Sequence, residues 1–466
     1  LKETYDVGEA LRSFADDNNN NNNNNDNDNN GGMVPDTLLL NAKRHGFSDK
    51  QIAQRLHVSE MEIRERRLKR GIVPSVKKID TTAAEFEAQS SYLYLTYADV
   101  SLHSHSLHSR HYANSEVSDS SDSVDDDDSN MCSYQRSIVV LGSGVYRVGA
   151  SVEFDSAVVE CLRTIRDVKK SVRTVVINHN PETVSTDYDE SDALYFEELS
   201  FERILDIIEI EQNLQHNNDQ NTKSDFTNSR LHSNYRGADT IRRTNAVDLI
   251  VTMGGQASQN VVPLLATQDH VHVLGTSPHS IERAENRMRH SHMLETIQVQ
   301  QPQWCNSTHL GDLLEFAQRV QYPVLARPSF VLAGAAMQVI HDATQLERYY
   351  YTHTTNGANG GEQLVSKYPM VLSKVYTSGK EIDVDVVGRN GNVVVMAISE
   401  HVEDVGVHSG DATLVHPTIH LSNNVLEQIE NIATNICKEL NITGLFNLQI
   451  IQVLSNNNND NNDNND

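Results

Sequence analysis

The chain has 466 residues, enough to bury a large core in two to four domains, but only 38% are hydrophobic and the mean hydropathy is −0.49. The deficit is local, because asparagine and aspartate tracts dilute a core of ordinary composition. A formal net charge of −26 argues against nucleic acid or an anionic membrane surface as partner, although much of it lies in tracts and exposed helices and so identifies no substrate.

Residues 1–17 form a short stub, and 18–30 is an asparagine-rich tract that cannot bury apolar surface, so 1–34 is expected to be disordered. Residues 35–97 are helical in pattern. Leu38, Leu39 and Ala42 share one face, Ile52, Ala53 and Leu56 another, and Ile63 and Leu68 a third, with Ser48 and Ser59 placed as N-caps. The string AKRHGFSDKQIAQRLHVSEMEIRERRLKRGI invites a helix-turn-helix reading in which Lys43, Arg44, Arg64, Arg66, Arg67, Lys69 and Arg70 face phosphates. A helical bundle with a solvated charged face is the plainer reading at this net charge, and no nucleic-acid partner is expected. Residues 98–135 read as a low-complexity linker, with His103, His105, His108 and His111 followed by Ser/Asp repeats.

From 136 to about 290 the pattern is α/β. Strands are expected near 138–142, 174–178, 193–197, 248–252 and 271–274, and a helix near 201–211 shows Ile204, Ile207 and Ile208 at core spacing. The first strand meets Gly142, Ser143 and Gly144 before a helix opens, the order of a parallel sheet. Such glycines admit an anion to backbone N–H groups, but the spacing is not GxGxxG, so the turn alone is weak evidence. A polar stretch at 213–246 is expected to loop out.

More specific are the strings LGSGVYRVG, VEFD, NPETVSTDYD (180–189) and LYFEELS (194–200). Together they closely resemble the second ATP-using half of the large, or synthetase, subunit of carbamoyl phosphate synthetase, an ATP-grasp family. The resemblance continues at intervals to Gln449. It implies an α/β multidomain chain: a helical oligomerisation domain at 35–97, a Rossmann-like pre-ATP-grasp domain at 136–290, and a truncated ATP-grasp (α+β) domain at 291–455, before an Asn/Asp tail at 456–466. The activity it implies is ATP-dependent phosphorylation of carbamate, in making carbamoyl phosphate from bicarbonate and glutamine-derived ammonia for pyrimidine or arginine synthesis.

The resemblance also implies the site. LARPSFVLAGAAM (325–337) is similar to the phosphate-covering segment, with Arg327 on nucleotide phosphates, a task suited to a planar guanidinium; a surface ion pair is its plainer role. The family's GGR is replaced by Ala333, Gly334 and Ala335, which removes a positive charge from the phosphate pocket. SKVYTSGKEIDVDVV (373–387) resembles the hinge and ribose segment. There Lys374 lies in the hinge, Val375 and Tyr376 meet adenine through backbone groups, and Glu381 accepts from the ribose hydroxyls. Without the resemblance this strand reads simply as half-exposed, Ile382, Val384 and Val386 alternating with Asp383 and Asp385. In EHVEDVGVHSGDA (400–412), Gly406, Val407, His408 and Ser409 would stand at the nucleotide, and upstream Arg287 would face the site.

Gln449 takes the family's first magnesium position. The next strand should resemble IEVNPR, but here IIQVLS leads into the Asn/Asp tail, so the glutamate and asparagine ligands are expected to be absent. Implied cofactors are ATP, magnesium or manganese, and potassium. Implied partners are bicarbonate or carbamate, a glutaminase subunit or domain, and further copies of this chain through 35–97. A non-catalytic binding or assembly protein is the alternative.

Four cysteines (Cys132, Cys161, Cys305, Cys437) stand far apart without a CxxC pair, which suits a reducing compartment and argues against a disulfide scaffold or zinc site. No apolar run reaches the ~18–20 residues that cross a bilayer. The chain begins at Leu1, so the lack of a targeting signal is uninformative; a cytoplasmic location is the default, with a mitochondrial one left open.

Overall fold

The computed structural model describes residues 2–21, 34–80, 82–83, 85–86, 90–100, 136–146, 152–169, 171–219, 246–328, 337–354, 369–407 and 412–453. The chain divides into two compact units, Leu1–His272 and Val273–Asp466.

The first unit opens with a bundle of α1 (Lys2–Asn21), α2 (Asp36–Arg44), α3 (Asp49–Leu56) and α4 (Glu60–Lys69). Ser48 and Ser59 cap α3 and α4 through full capping boxes with Gln51 and Glu62. The expectation of a disordered start is corrected by α1: Val7 and Leu11, one helical turn apart, join Leu39, Leu40, Ile52, Ile63 and Ile72 in one apolar core. A second correction concerns 35–97. Its last part is not helical but supplies two strands, β1 (Ser75–Lys78) and β2 (Tyr92–Thr96).

These strands join β3 (Arg136–Leu141), β4 (Val172–Ile177), β5 (Ala193–Tyr195), β6 (Val247–Ile250) and the edge strand β7 (Val271–Leu274), in the order β1-β2-β5-β4-β3-β6-β7. The pairings from β2 to β6 are parallel, and β1 adds antiparallel to β2. Val139, Val140 and Leu141 of β3 and Val175, Val176 and Ile177 of β4 are fully buried, as befits a sheet covered on both faces. The covering helices are α5 (Val152–Val168) and α6 (Phe201–Asp219), followed by the short α7 (Gln256–Gln259) and α8 (Val262–Leu265). The turn after β6 approaches the one after β3 so closely that a Cβ on Gly254 would lie 2.2 Å from the Gly142 carbonyl oxygen; only glycine fits there. The helix expected at 201–211 extends to Asp219, into the stretch expected to loop out. The rest of that insertion, the histidine and Ser/Asp tract at 101–135 and the tail from 454 lie outside the described residues.

The basic residues of the bundle do not present a phosphate-binding face. Lys43, Arg64 and Arg67, at most 4% exposed, pair with equally buried Asp49, Glu202 and Asp206. Lys43 bonds Asp49 at 2.9 Å and Glu202 at 2.5 Å; Arg67 bonds Asp49 at 2.7 Å and Asp206 at 2.8 Å; Arg64 bonds Asp206 at 2.6 Å. Arg66 and Arg70 meet Asp36, Lys69 meets Glu65, and Arg44 donates to the Val100 carbonyl.

The second unit has α9 (Pro278–Glu285) and α10 (Arg287–Thr296), then two four-stranded sheets. One holds β8 (Trp304–Ser307), β9 (Val324–Pro328), β10 (Gln338–Ile340) and β11 (Met370–Lys374) in the order β10-β9-β11-β8, with α11 (Leu310–Val320) and α12 (Ala343–Thr354) supplying Leu313, Phe316, Leu346 and Tyr349 to its core. The other holds β12 (Lys380–Arg389), β13 (Asn392–His401), β14 (Leu414–Val415) and β15 (Gly444–Gln452) in the order β14-β13-β12-β15. Helix α13 (Asn423–Glu439) packs Ile429 and Ala433 against Ile382, Val384 and Val386, leaving the opposite face of β12 and β15 polar.

Candidate nucleotide site

All described candidate residues belong to the second unit. Asn286 ends α9 in an extended conformation and caps α10 by accepting the Arg289 N–H at 3.2 Å, so Arg287 stands first in α10, at the positive end of the helix dipole. On β9, half-buried Arg327 donates from Nη2 to the Ser373 hydroxyl of β11 at 3.0 Å. Its Nε is sealed from solvent without a hydrogen-bond partner. Burial first, and the charge of Arg287 second, push the Arg327 guanidinium down to about 10, and no carboxylate acts to restore it. Burial also lowers Arg287, with Glu285 working in the opposite direction. Two desolvated cations that repel each other, one with a donor lacking a hydrogen-bond partner, leave positive charge that an anion would offset.

Glu381, on β12, accepts the Gly406 N–H at 3.2 Å. Gly406 has φ +105°, a conformation that side chains rarely adopt, so glycine lets the 402–407 turn fold back onto Glu381. Val407 follows it half-buried, while His408 and Ser409 lie outside the described residues, as do 329–336 of the phosphate-covering segment. Lys374 donates from Nζ to the Gln321 carbonyl at 2.7 Å, and Tyr376 is half-buried. The Val375 N–H donates to the Pro323 carbonyl at 3.3 Å, which leaves the backbone carbonyl groups of 375 and 376 as the ones to meet adenine. Thus Arg287 and Arg327 come together, as do Glu381 and Gly406, whereas Lys374 is tied to the 321–323 turn.

Gln449 is exposed on β15, directly across from Asp383 of β12. Asp383 is not on a half-exposed face as its alternation suggests: it is 4% exposed, with one oxygen on Nε2 of fully buried His401 at 3.1 Å and the other sealed off without a partner. Asp385 accepts from the Asn447 amide at 2.9 Å, and Glu400 from the His420 ring at 2.8 Å and from two backbone N–H groups. Magnesium prefers six oxygens in octahedral geometry, keeps several waters and takes at least one open carboxylate. Among the described residues no group of three His, Cys, Asp or Glu side chains is placed to hold a metal. The orphaned Arg327 donor fits a phosphate; the committed carboxylates around Gln449 do not fit magnesium. Sequence reasoning gave no role to Ser373, although it opens the 373–387 string, nor to the Asp383–His401 pair, which joins residues 18 apart across two strands.

Three family models match in chain order: the carbamoyl-phosphate synthetase large chain oligomerisation domain at 19–71, the carbamoyl phosphate synthase preATP-grasp domain at 134–216, and the carbamoyl-phosphate synthase L chain ATP binding domain at 286–460. The chain is 41% identical over 419 residues to multifunctional protein URA2 of Saccharomyces cerevisiae, covering 90% of this chain and 16% of that protein. It is 41% identical over 420 residues to multifunctional protein pyr1-3 of Dictyostelium discoideum, with the same coverage. Against the carbamoyl phosphate synthase arginine-specific large chain of Cutaneotrichosporon cutaneum it is 41% identical over 415 residues, covering 89% of this chain and 29% of that one. The chain therefore spans less than a third of the length of these curated relatives.

Proposed function

We infer the function from one premise: the chain belongs to the carbamoyl phosphate synthetase large-subunit family, with its oligomerisation, pre-ATP-grasp and ATP-grasp domains in order. We propose that it is the adenine-nucleotide-binding part of a carbamoyl phosphate synthase. In such an assembly ATP phosphorylates carbamate, formed from bicarbonate and ammonia that a glutaminase subunit or domain releases, and the helical bundle joins copies of the chain. The observation that carries this reading is Arg327 on β9, desolvated, under the charge of Arg287 and with an Nε that lacks a hydrogen-bond partner.

In this reading Arg327 and Arg287 neutralise the nucleotide phosphates, and Ser373 fixes the Arg327 fork. Glu381, held at the 402–407 turn by Gly406, accepts from the ribose hydroxyls, Tyr376 meets adenine through its backbone, and Val407, His408 and Ser409 are the residues assigned to the nucleotide by the family string. In-line phosphoryl transfer depends on positioning and charge neutralisation rather than a covalent enzyme intermediate. A second reading, a binding or assembly protein without turnover of its own, is favoured by the committed carboxylates around Gln449.

The test is calorimetric titration of the purified chain with ADP and ATP, beside an assay for carbamoyl phosphate from bicarbonate, ammonia and ATP. Nucleotide binding without product is expected. Product formation that disappears in Glu381→Ala would establish independent catalysis, and absence of any nucleotide binding would remove the proposal.

A further inference from the structure

We propose that this chain takes an adenine nucleotide through its arginines alone, without a divalent cation; the inference rests on the nucleotide reading of the same pocket.

Phosphate charge can be met in two ways, by a metal ion or by fixed protein cations. Here Arg327 is already in place with an unfilled donor. Arg327 is half-buried and has a sealed Nε with no partner, and Arg287 approaches it closely enough to depress its protonation. Such a pair gains from an anion because the anion removes their repulsion and fills the orphaned donor.

The metal side of the pocket is closed by its own hydrogen bonds. The carboxylate facing Gln449 across the sheet, Asp383, has one oxygen on His401 and the other cut off from solvent, where a hydrated ion cannot reach it. Asp385 and Glu381 each have one oxygen engaged, by Asn447 and by Gly406, and among the described residues no three His, Cys, Asp or Glu side chains are placed together to hold a metal. Freeing Asp383 for a metal would leave the buried His401 ring without its acceptor, at the cost attached to an unpaired buried polar group.

Equilibrium titration of the full chain with ADP and ATP, once in EDTA and once in excess magnesium chloride, separates the alternatives. The dissociation constants are expected to agree within about threefold between the two buffers. Arg327→Lys, which keeps the charge but loses the fork, is expected to weaken binding about tenfold in both. Circular dichroism of that variant verifies that it folds. Binding that weakens tenfold or more in EDTA overturns the proposal while leaving the nucleotide reading intact. No binding in either buffer overturns the nucleotide reading and the proposal with it. Manganese gives a further readout: its paramagnetic resonance signal, without nucleotide, should stay that of the free ion when the chain is added, and a bound signal would count against a metal-free site.

Discussion

Arg327 carries opposite consequences for stability and for binding. Its folded-state value, about 10, lies below the ordinary guanidinium range, because burial and then Arg287 disfavour the charge. The unfolded chain therefore binds that proton more tightly. Stability should rise as pH climbs past about 10 toward the ordinary guanidinium range, and at neutral pH the buried charge opposes folding. Arg327→Met, apolar and of similar reach, should accordingly raise the melting temperature of the nucleotide-free chain by about 1–3 °C. The same variant should lose the upward shift that ADP gives the parent chain. Differential scanning fluorimetry reads both, and a lower melting temperature with an intact ADP shift would contradict this assignment. In the parent, ADP affinity should decline once pH climbs past about 10 in the free protein. Ser373→Ala should act only through the freed Nη2, weakening ADP binding by about 3–10-fold with little change in melting.

At the scale of elements, the attachment of α2–α4 to α6 is a buried ion network of three cations and three carboxylates. Removing one member leaves its partners charged and desolvated, which costs about 3–5 kcal/mol. Arg67→Ala, stripping both Asp49 and Asp206, should show that full loss as a lowered urea midpoint for the first unit; replacement of exposed Lys69 by alanine should barely move it. Burial alone would raise Asp206, but Arg67 and Arg64 outweigh it and hold its carboxyl below 3.8. A depressed carboxylate contributes stability above its unfolded value and loses it as pH falls through the folded one, so the bundle should loosen below about pH 4. None of this was legible in the sequence, where the same lysine and arginines read as a solvated or phosphate-facing surface. Two of the three carboxylates, Glu202 and Asp206, lie about 140–160 residues away on another helix, and periodicity carries no information about pairing at that range. The central strands were legible, because β3 and β4 are unbroken β-branched runs buried on both faces. β1 and β2 were not, since only Ser75 and Leu95 of their nine residues are buried and helices precede them directly. Helix α1 was hidden by the asparagine tract into which it runs.

Considered whole, the chain keeps its two compact units chemically distinct, and this sets what each must do. The family strings 142–200 lie in the first unit, yet every described candidate nucleotide residue, from Arg287 to Gln449, lies in the second. Recognition of the family and placement of the site thus came from different parts of the sequence. In the site, the resemblance found Arg287, Arg327 and Glu381 because each sits in a recognisable string. It overlooked Ser373 and the Asp383–His401 pair because those act through tertiary contacts. The apolar clusters of the second unit draw only on residues between 293 and 450, so its core does not depend on side chains of the first. A fragment of residues 273–466 should therefore fold and bind ADP with an affinity within about threefold of the full chain. Its binding should vanish in Arg327→Ala, as in the full chain. Should the fragment fold by circular dichroism yet bind more than tenfold more weakly, the first unit must contribute to the pocket, and Arg287 and Arg327 could no longer be regarded as sufficient.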